Sequence, residues 1–332
     1  MRRIVVAFIA CVLAFGMSAC AIGSQDESQP EANPSEEVAA KDEAEESAKE
    51  SNEEPPKEVL HKKPLQDYTW DELSQISALI VAEENPEAQR EVAKSFGLVD
   101  DDGAITRQTK QIIIDDTRAL DVRLIGICHD DKADGSGKVG LTFMTVGALG
   151  IFPMNDEVTI NGGWEKSTLR ARLAGEQKAR LESDLSSKLV AVNKLTNNVG
   201  LTDSFDSITS TADELWVFSP HEVCGDVRWD GEEFRGRRGW QDVDGMLNAE
   251  GTQYEAFIRE GVTGESDPNG FLSLANSTGK SPWWYRTPYP FDFSSYGGTG
   301  SLGYFYQVAD SGFPQSLGSP EVPASVVVGF CV

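Results

Sequence analysis

Residues 4–15 form an unbroken apolar run, residues 21–63 contain no aromatic side chain, and from Tyr68 onward apolar positions recur with the periods of secondary structure. Thr69-Trp70-Asp71-Glu72 reads as a capping box, opening a helix with Leu73, Ile76, Leu79 and Ile80 on one side. Asn85-Pro86 supplies a cap and first turn for a second helix that Gly97 ends, and the acidic turn at residues 100–103 closes the hairpin. The rhythm then shortens. Residues 111–114, 120–128 and 139–146 predict strands, with a turn-rich stretch at 130–137. Helices are predicted over 164–173, 176–185 and 253–259, and strands over 189–192, 215–218, 283–286, 304–308 and 325–331. Short helices and mixed, mostly antiparallel strands without βαβ alternation predict a loop-rich α+β fold preceded by a small helical hairpin.

The first segment adds a location. Met1-Arg2-Arg3, the short apolar run and Gly16-Met17-Ser18-Ala19-Cys20 have the order of a secretory signal, and the run is well under the roughly 20 residues of a permanent span. Cys20 stands where a lipobox places its acyl acceptor, so residues 1–19 are expected to leave and Cys20 to carry lipid. One acyl chain binds a membrane only marginally and two anchor stably, so the expected residence is the extracytoplasmic face of the cell membrane. Residues 21–63 hold thirteen Asp and Glu against five Lys, with Pro30, Pro34, Pro55 and Pro56. Such a segment buries too little to offset its ordering entropy, and with Cys20 it reads as a disordered tether over 20–63. The expected division continues with the hairpin at 64–103 and the main domain at 104–332.

Charge narrows the partners. The chain has 54 acidic and 29 basic residues, a net of −25, which excludes nucleic acid as a routine partner and makes an anionic membrane surface repulsive.

No catalytic constellation emerges, and neither a metal nor a cofactor is expected. His221-Glu222 begins like a zincin but Gly225 occupies the second histidine's place. Asp130-Asp131-Lys132-Ala133-Asp134-Gly135 resembles a calcium loop, yet Lys132 and Leu141 stand where oxygen ligands belong. Gly298 to Gly303 spells G-x-G-x-x-G before a strand and no helix. Ser277-Thr278-Gly279-Lys280 spells S-x-x-K without its companion motifs.

Three places resemble a known family. Trp164-Glu165-Lys166-Ser167-Thr168-Leu169-Arg170, then Leu215-Trp216-Val217-Phe218-Ser219-Pro220-His221-Glu222-Val223, then Trp283-Trp284-Tyr285-Arg286-Thr287-Pro288 are similar, in order and spacing, to elements of the bacterial surface-lipoprotein family catalogued as domain of unknown function 6273. The similarity covers about residues 108–332. More distantly the arrangement resembles the formylglycine-generating and C-type-lectin-like folds, with Cys331 in place of a closing Arg. The family implies surface location and no assigned reaction.

With Cys11 removed and Cys20 acylated, Cys128, Cys224 and Cys331 remain in an oxidising compartment. Cys224 and Cys331 lie in the family-like half and are expected to pair. Cys128 is then a small buried hydrophobe.

The run Trp283, Trp284, Tyr285, Arg286, Tyr289, Phe291 and Phe293 reads first as core and second as a sugar-stacking platform. Strand alternation sends Trp283 and Trp284 to opposite faces, so they are expected to divide between these roles, with Trp283, Trp284, Arg286 and Asp292 as ligand-binding candidates. The expected function is a non-enzymatic binding module for an extracellular glycan or protein, anchored by its lipid. The alternative is an enzyme related to the formylglycine-generating fold, which needs two reactive cysteines within reach of one another and a copper ion.

Overall fold

The capping box forms. In the computed structural model, which describes residues 60–229, 243–276, 279–290 and 303–332, the Thr69 hydroxyl accepts the Glu72 amide and the Glu72 carboxylate accepts the Thr69 amide, opening α1 (Trp70–Val81). Asn85 accepts the Ala88 amide and starts α2 (Pro86–Ser95), with Pro86 in the first turn. Leu73, Ile76 and Ile80 are buried, while Leu79 is exposed, so the apolar stripe is narrower than its spacing suggests. Trp70 anchors the hairpin, with ring centroids 5.5 Å from Phe143 and 5.8 Å from Phe330. The fold starts slightly before Pro64: Lys63 pairs with Glu72 at 2.6 Å and Leu60 packs against the core. Hairpin and sheets belong to one unit, Glu58–Val332.

Two sheets carry the architecture. The first has β1 (Thr109–Ile114), β2 (Arg118–Ile127), β3 (Leu141–Thr145) and β13 (Gly329–Cys331) in the order β1-β2-β3-β13, all antiparallel. The second has the order β11-β10-β9-β12-β4, built from β4 (Gly150–Phe152), β9 (Trp283–Pro288), β10 (Phe305–Val308), β11 (Ser316–Gly318) and β12 (Ala324–Val326), and only the β12–β9 pair in it is parallel. β5 (Val192–Asn197) and β6 (Ile208–Asp213) form a separate two-stranded ribbon, and β7 (Ala275–Asn276) with β8 (Gly279–Lys280) a minor one. The chain leaves the second sheet at Val326 and enters the first at Gly329, and the Val328 carbonyl accepts the Thr145 amide on the way, so the last residues stitch the sheets together. The class is α+β, loop-rich and mostly antiparallel.

The short helices depart from their predicted lengths. Where one helix was expected over 164–173, Ser167 caps α3 (Thr168–Arg172), which runs into a wider π-turn at Leu173–Gln177. Trp164 stays in the preceding turn and donates its indole N–H to Asp213 at 2.9 Å. The helix expected over 176–185 is cut because the chain returns to the edge of the first sheet. Leu181 bridges Ile114 and the Glu182 amide donates to the Ile113 carbonyl, leaving only α4 (Ser183–Ser186). Residues 215–218 contribute a single bridge, Trp216 with Gly329, where a strand was expected.

Trp283, Trp284, Tyr285 and Arg286 of the aromatic run are core, Tyr289 is half-buried, and Phe291 and Phe293 lie outside the described residues; the expected division between Trp283 and Trp284 does not occur. Alternation holds, but both faces of β9 are covered: Trp283 donates to the Leu272 carbonyl and Trp284 to the Phe152 carbonyl, each at 2.9 Å, and both side chains are fully buried. Neither indole can serve as a stacking platform. Asp292 lies outside the described residues. Trp283→Ala and Trp284→Ala are therefore expected to destabilise alike, by about 3 to 5 kcal/mol each, in chemical denaturation. A loss confined to one of them would mean that the other indole is accessible.

Candidate functional site

Lys194 sits on the wrong side of its strand by simple hydropathy. β5 turns Val192, Lys194 and Thr196 inward and Asn193 and Leu195 outward, leaving Lys194 2% exposed and Leu195 41% exposed. A shift of one residue would reverse both. What holds the observed register is a set of acceptors. The Lys194 ammonium donates to an Asp130 carboxylate oxygen, to Glu222 Oε1 at 3.1 Å and to the Tyr254 hydroxyl at 2.7 Å, and stands 4.1 Å from the Trp216 ring centre. Burial alone would discharge the amine, but attraction from Asp130 and Glu222 overrides it and raises its pKa.

Different elements deliver the partners. Cys128 takes a left-handed turn at φ 48° after β2 and brings His129 and Asp130 beneath the ribbon. Asp130 also accepts the Thr142 hydroxyl at 2.7 Å and the Tyr254 hydroxyl at 2.9 Å. Burial would raise its carboxyl; Lys194 instead pulls it down to about 2. Ser219 and Glu222 form a second capping box at α5 (Pro220–Cys224), so one carboxylate both starts a helix and receives Lys194 and Arg286. From β9 the Arg286 guanidinium reaches Glu222, the Thr196 hydroxyl at 2.7 Å and the carbonyls of Val217, Leu195 and Glu250. All five of its donor hydrogens have acceptors nearby.

Two buried cations thus match two buried carboxylates, and a third acid is left over. Glu250 lies between α6 (Val243–Asn248) and α7 (Glu255–Glu260). It accepts the Asn197 amide at 2.9 Å and bonds to the Thr287 hydroxyl. Burial outweighs Arg286 and these hydrogen bonds, and its pKa is pushed up to about 7. The next residue, Gly251, crosses so close to Glu222 that a Cβ there would meet Glu222 Cγ at 3.0 Å, at φ 128°.

Above the network opens a cleft of about 520 Å³, floored by Asp130, Lys194 and Glu222. On one wall Asn193 and Ser210 hydrogen-bond at 3.1 Å beside Leu195; on the other His129 Nε2 lies 3.3 Å from the Thr252 hydroxyl. The His129 ring stacks on Tyr254 at 3.9 Å, and burial lowers its pKa, so it is neutral at pH 7. Lys138 and Asp131 pair at the rim at 3.0 Å.

Of the residues singled out in the sequence, Arg286 alone belongs to this constellation as an expected site residue, and its carboxylate partner is Glu222. Cys20 lies outside the described residues. The expected Cys224–Cys331 bridge is not made: both are buried free thiols held by different neighbours. Cys331 Sγ lies 3.3 Å from Thr142 Oγ1 and 3.6 Å from Asp130, while Cys224 Sγ lies 3.6 Å from the Tyr285 hydroxyl. Asp130 and Glu222 stand in sequence motifs that point to other chemistry, an incomplete calcium loop and an incomplete zincin. Lys194, Glu250 and Tyr254 carry no sequence signal, because what marks them is burial.

A family described as a domain of unknown function, DUF6273, matches residues 143–308 of the chain. No curated protein and no solved structure matches it. Lys194, Glu222, Glu250, Tyr254 and Arg286 fall inside the matched span.

Lys194→Met leaves two buried carboxylates to one guanidinium and should cost about 3 to 5 kcal/mol at pH 7, read by urea unfolding. Glu250 gives a pH signature. Its folded pKa near 7 stands above the ordinary 4.5, so its contribution is full below about pH 4.5 and is lost as pH rises through 7, by a figure on the order of 3 kcal/mol. Between pH 4.5 and 8 the wild type should therefore lose stability relative to Glu250→Gln. Parallel curves for the two proteins would contradict the assignment.

Proposed function

This chain belongs to the DUF6273 family, and from that premise we propose that it is an exported, lipid-anchored module that binds a glycan or protein outside the cell through the cleft lined by His129 and Thr252, without catalysing a reaction. The observation that carries the reading is the saturated floor. Lys194 is held protonated and Asp130 and Glu222 are held ionised by one another, by Arg286 and by Tyr254. Groups locked in one protonation state suit recognition better than proton transfer. Glu250, which does titrate near neutrality, faces a separate small cavity with Val243, Met246 and Leu247.

The alternative of a formylglycine-generating chemistry is disfavoured by the thiols. Cys224 and Cys331 are engaged by separate neighbours, and burial pushes Cys224 up to about 12 and Cys331 well above its ordinary value. The thiolate is the reactive form, so neither is poised for attack.

Export and anchoring rest on Arg2, Arg3, the apolar run and Cys20, and on the aromatic-free acidic segment behind them. Among the described residues no helix is long and apolar enough to cross a membrane. Metabolic labelling with an alkyne fatty acid should tag the wild type and leave Cys20→Ala untagged, accumulating as precursor or shed to the medium. Equal labelling of both proteins would remove the anchor from this account.

A further inference from the structure

We infer that the cleft takes a neutral pyranose of a glycan; this rests on the cleft being the binding site proposed above. The charges that line it are already spent on each other. Lys138 pairs with Asp131 at the rim, and Lys194 is shared between Asp130 and Glu222 in the floor. An ionised ligand would have to leave water for contacts whose counter-ions are engaged, which is costly. Three acids against two lysines further oppose an anion.

What the walls do offer is hydroxyl and carboxamide chemistry held in place. The Ser210 hydroxyl donates to the Asn193 side-chain oxygen at 3.1 Å, and the Asn193 amide donates to the Lys132 carbonyl at 3.2 Å. Across the cleft, Thr252 is fixed by His129. Each hydroxyl retains unused donor or acceptor capacity, and sugar hydroxyls both donate and accept. Beside Asn193 and opposite Ser210 on the ribbon lies Leu195, 41% exposed on a strand that buries a lysine instead. An apolar patch flanked by fixed polar groups matches the C–H face of a pyranose with its equatorial hydroxyls. The contact is aliphatic, since Trp283 and Trp284 are enclosed in the core.

The test is an array of neutral oligosaccharides with glucose, galactose, mannose and N-acetylhexosamine termini, beside sialylated and sulfated ones, probed with the full-length chain. Leu195→Asp and Ser210→Trp, both on the outer face of the ribbon, serve as cleft variants, with melting curves to show that each is folded. The inference expects neutral glycans to bind, Leu195→Asp to weaken them about tenfold or more, and Ser210→Trp to abolish binding. Binding confined to anionic glycans, or to a protein from a surface extract, and lost in Ser210→Trp would overturn the pyranose while leaving the cleft as the site. Neutral-glycan binding indifferent to both variants would overturn the cleft as well. An array without signal would overturn the saccharide inference.

Discussion

The structure around the cleft depends on one buried ammonium. Lys194 enters the interior on β5, and the elements that supply its acceptors are distant in sequence: the turn after β2 brings Asp130, α5 brings Glu222, and the loop before α7 brings Tyr254. Removing one member of a buried charge set is far more costly than a surface pair would suggest, because the others are left without compensation. The set therefore fixes the relative positions of ribbon, helix and loop. Arg286 extends the same constraint into the second sheet through Glu222 and Thr196, and Cys331 on β13 closes it against Asp130 and Thr142.

How much of this was legible in the chain follows from how local each cause is. The capping box at Thr69, the Asn85-Pro86 start and the β1–β2–β3 strands are decided by neighbours in sequence, and they form as the spacing predicts. The helix expected over 176–185 fails because Leu181 and Glu182 find partners on β1, a tertiary contact that overrides local preference. Trp283 and Trp284 alternate as strand residues must, but alternation gives direction and not exposure; β9 is covered on both faces. The cysteines illustrate the same limit, since Cys224 and Cys331 meet Tyr285 and Thr142 before they meet each other.

The candidate site was the least legible part, for a physical reason. A Val-Asn-Lys-Leu strand reads as lysine out and leucine in, and the opposite arrangement becomes stable only when Asp130 and Glu222 are already in place. Departures of this kind from hydropathy concentrate where a fold gives up local consistency for a site. Here the departure has two products at once: a rigid charged floor, and a leucine delivered to the surface among Asn193 and Ser210. In the proposed function both serve recognition, and the cleft, not the buried Trp283 and Trp284, is the place to look for a ligand. Lys194, Glu222 and Arg286 all fall within the family-matched span, so the proposal concerns the part of the chain that the family shares, while Asp130, in the turn after β2, and Cys331, on β13, lie outside it.

The cleft keeps its charged floor only if Lys194 is inside. Amine-reactive footprinting of the folded protein, with labelled sites read by mass spectrometry, compares it directly with Lys138, whose side chain is 48% exposed at the rim of the same cleft. The predicted result is rapid labelling of Lys138 and no labelling of Lys194 until the protein is unfolded. Labelling of Lys194 at the rate of Lys138 under native conditions would place it in solvent and contradict the buried charge set on which the cleft is built.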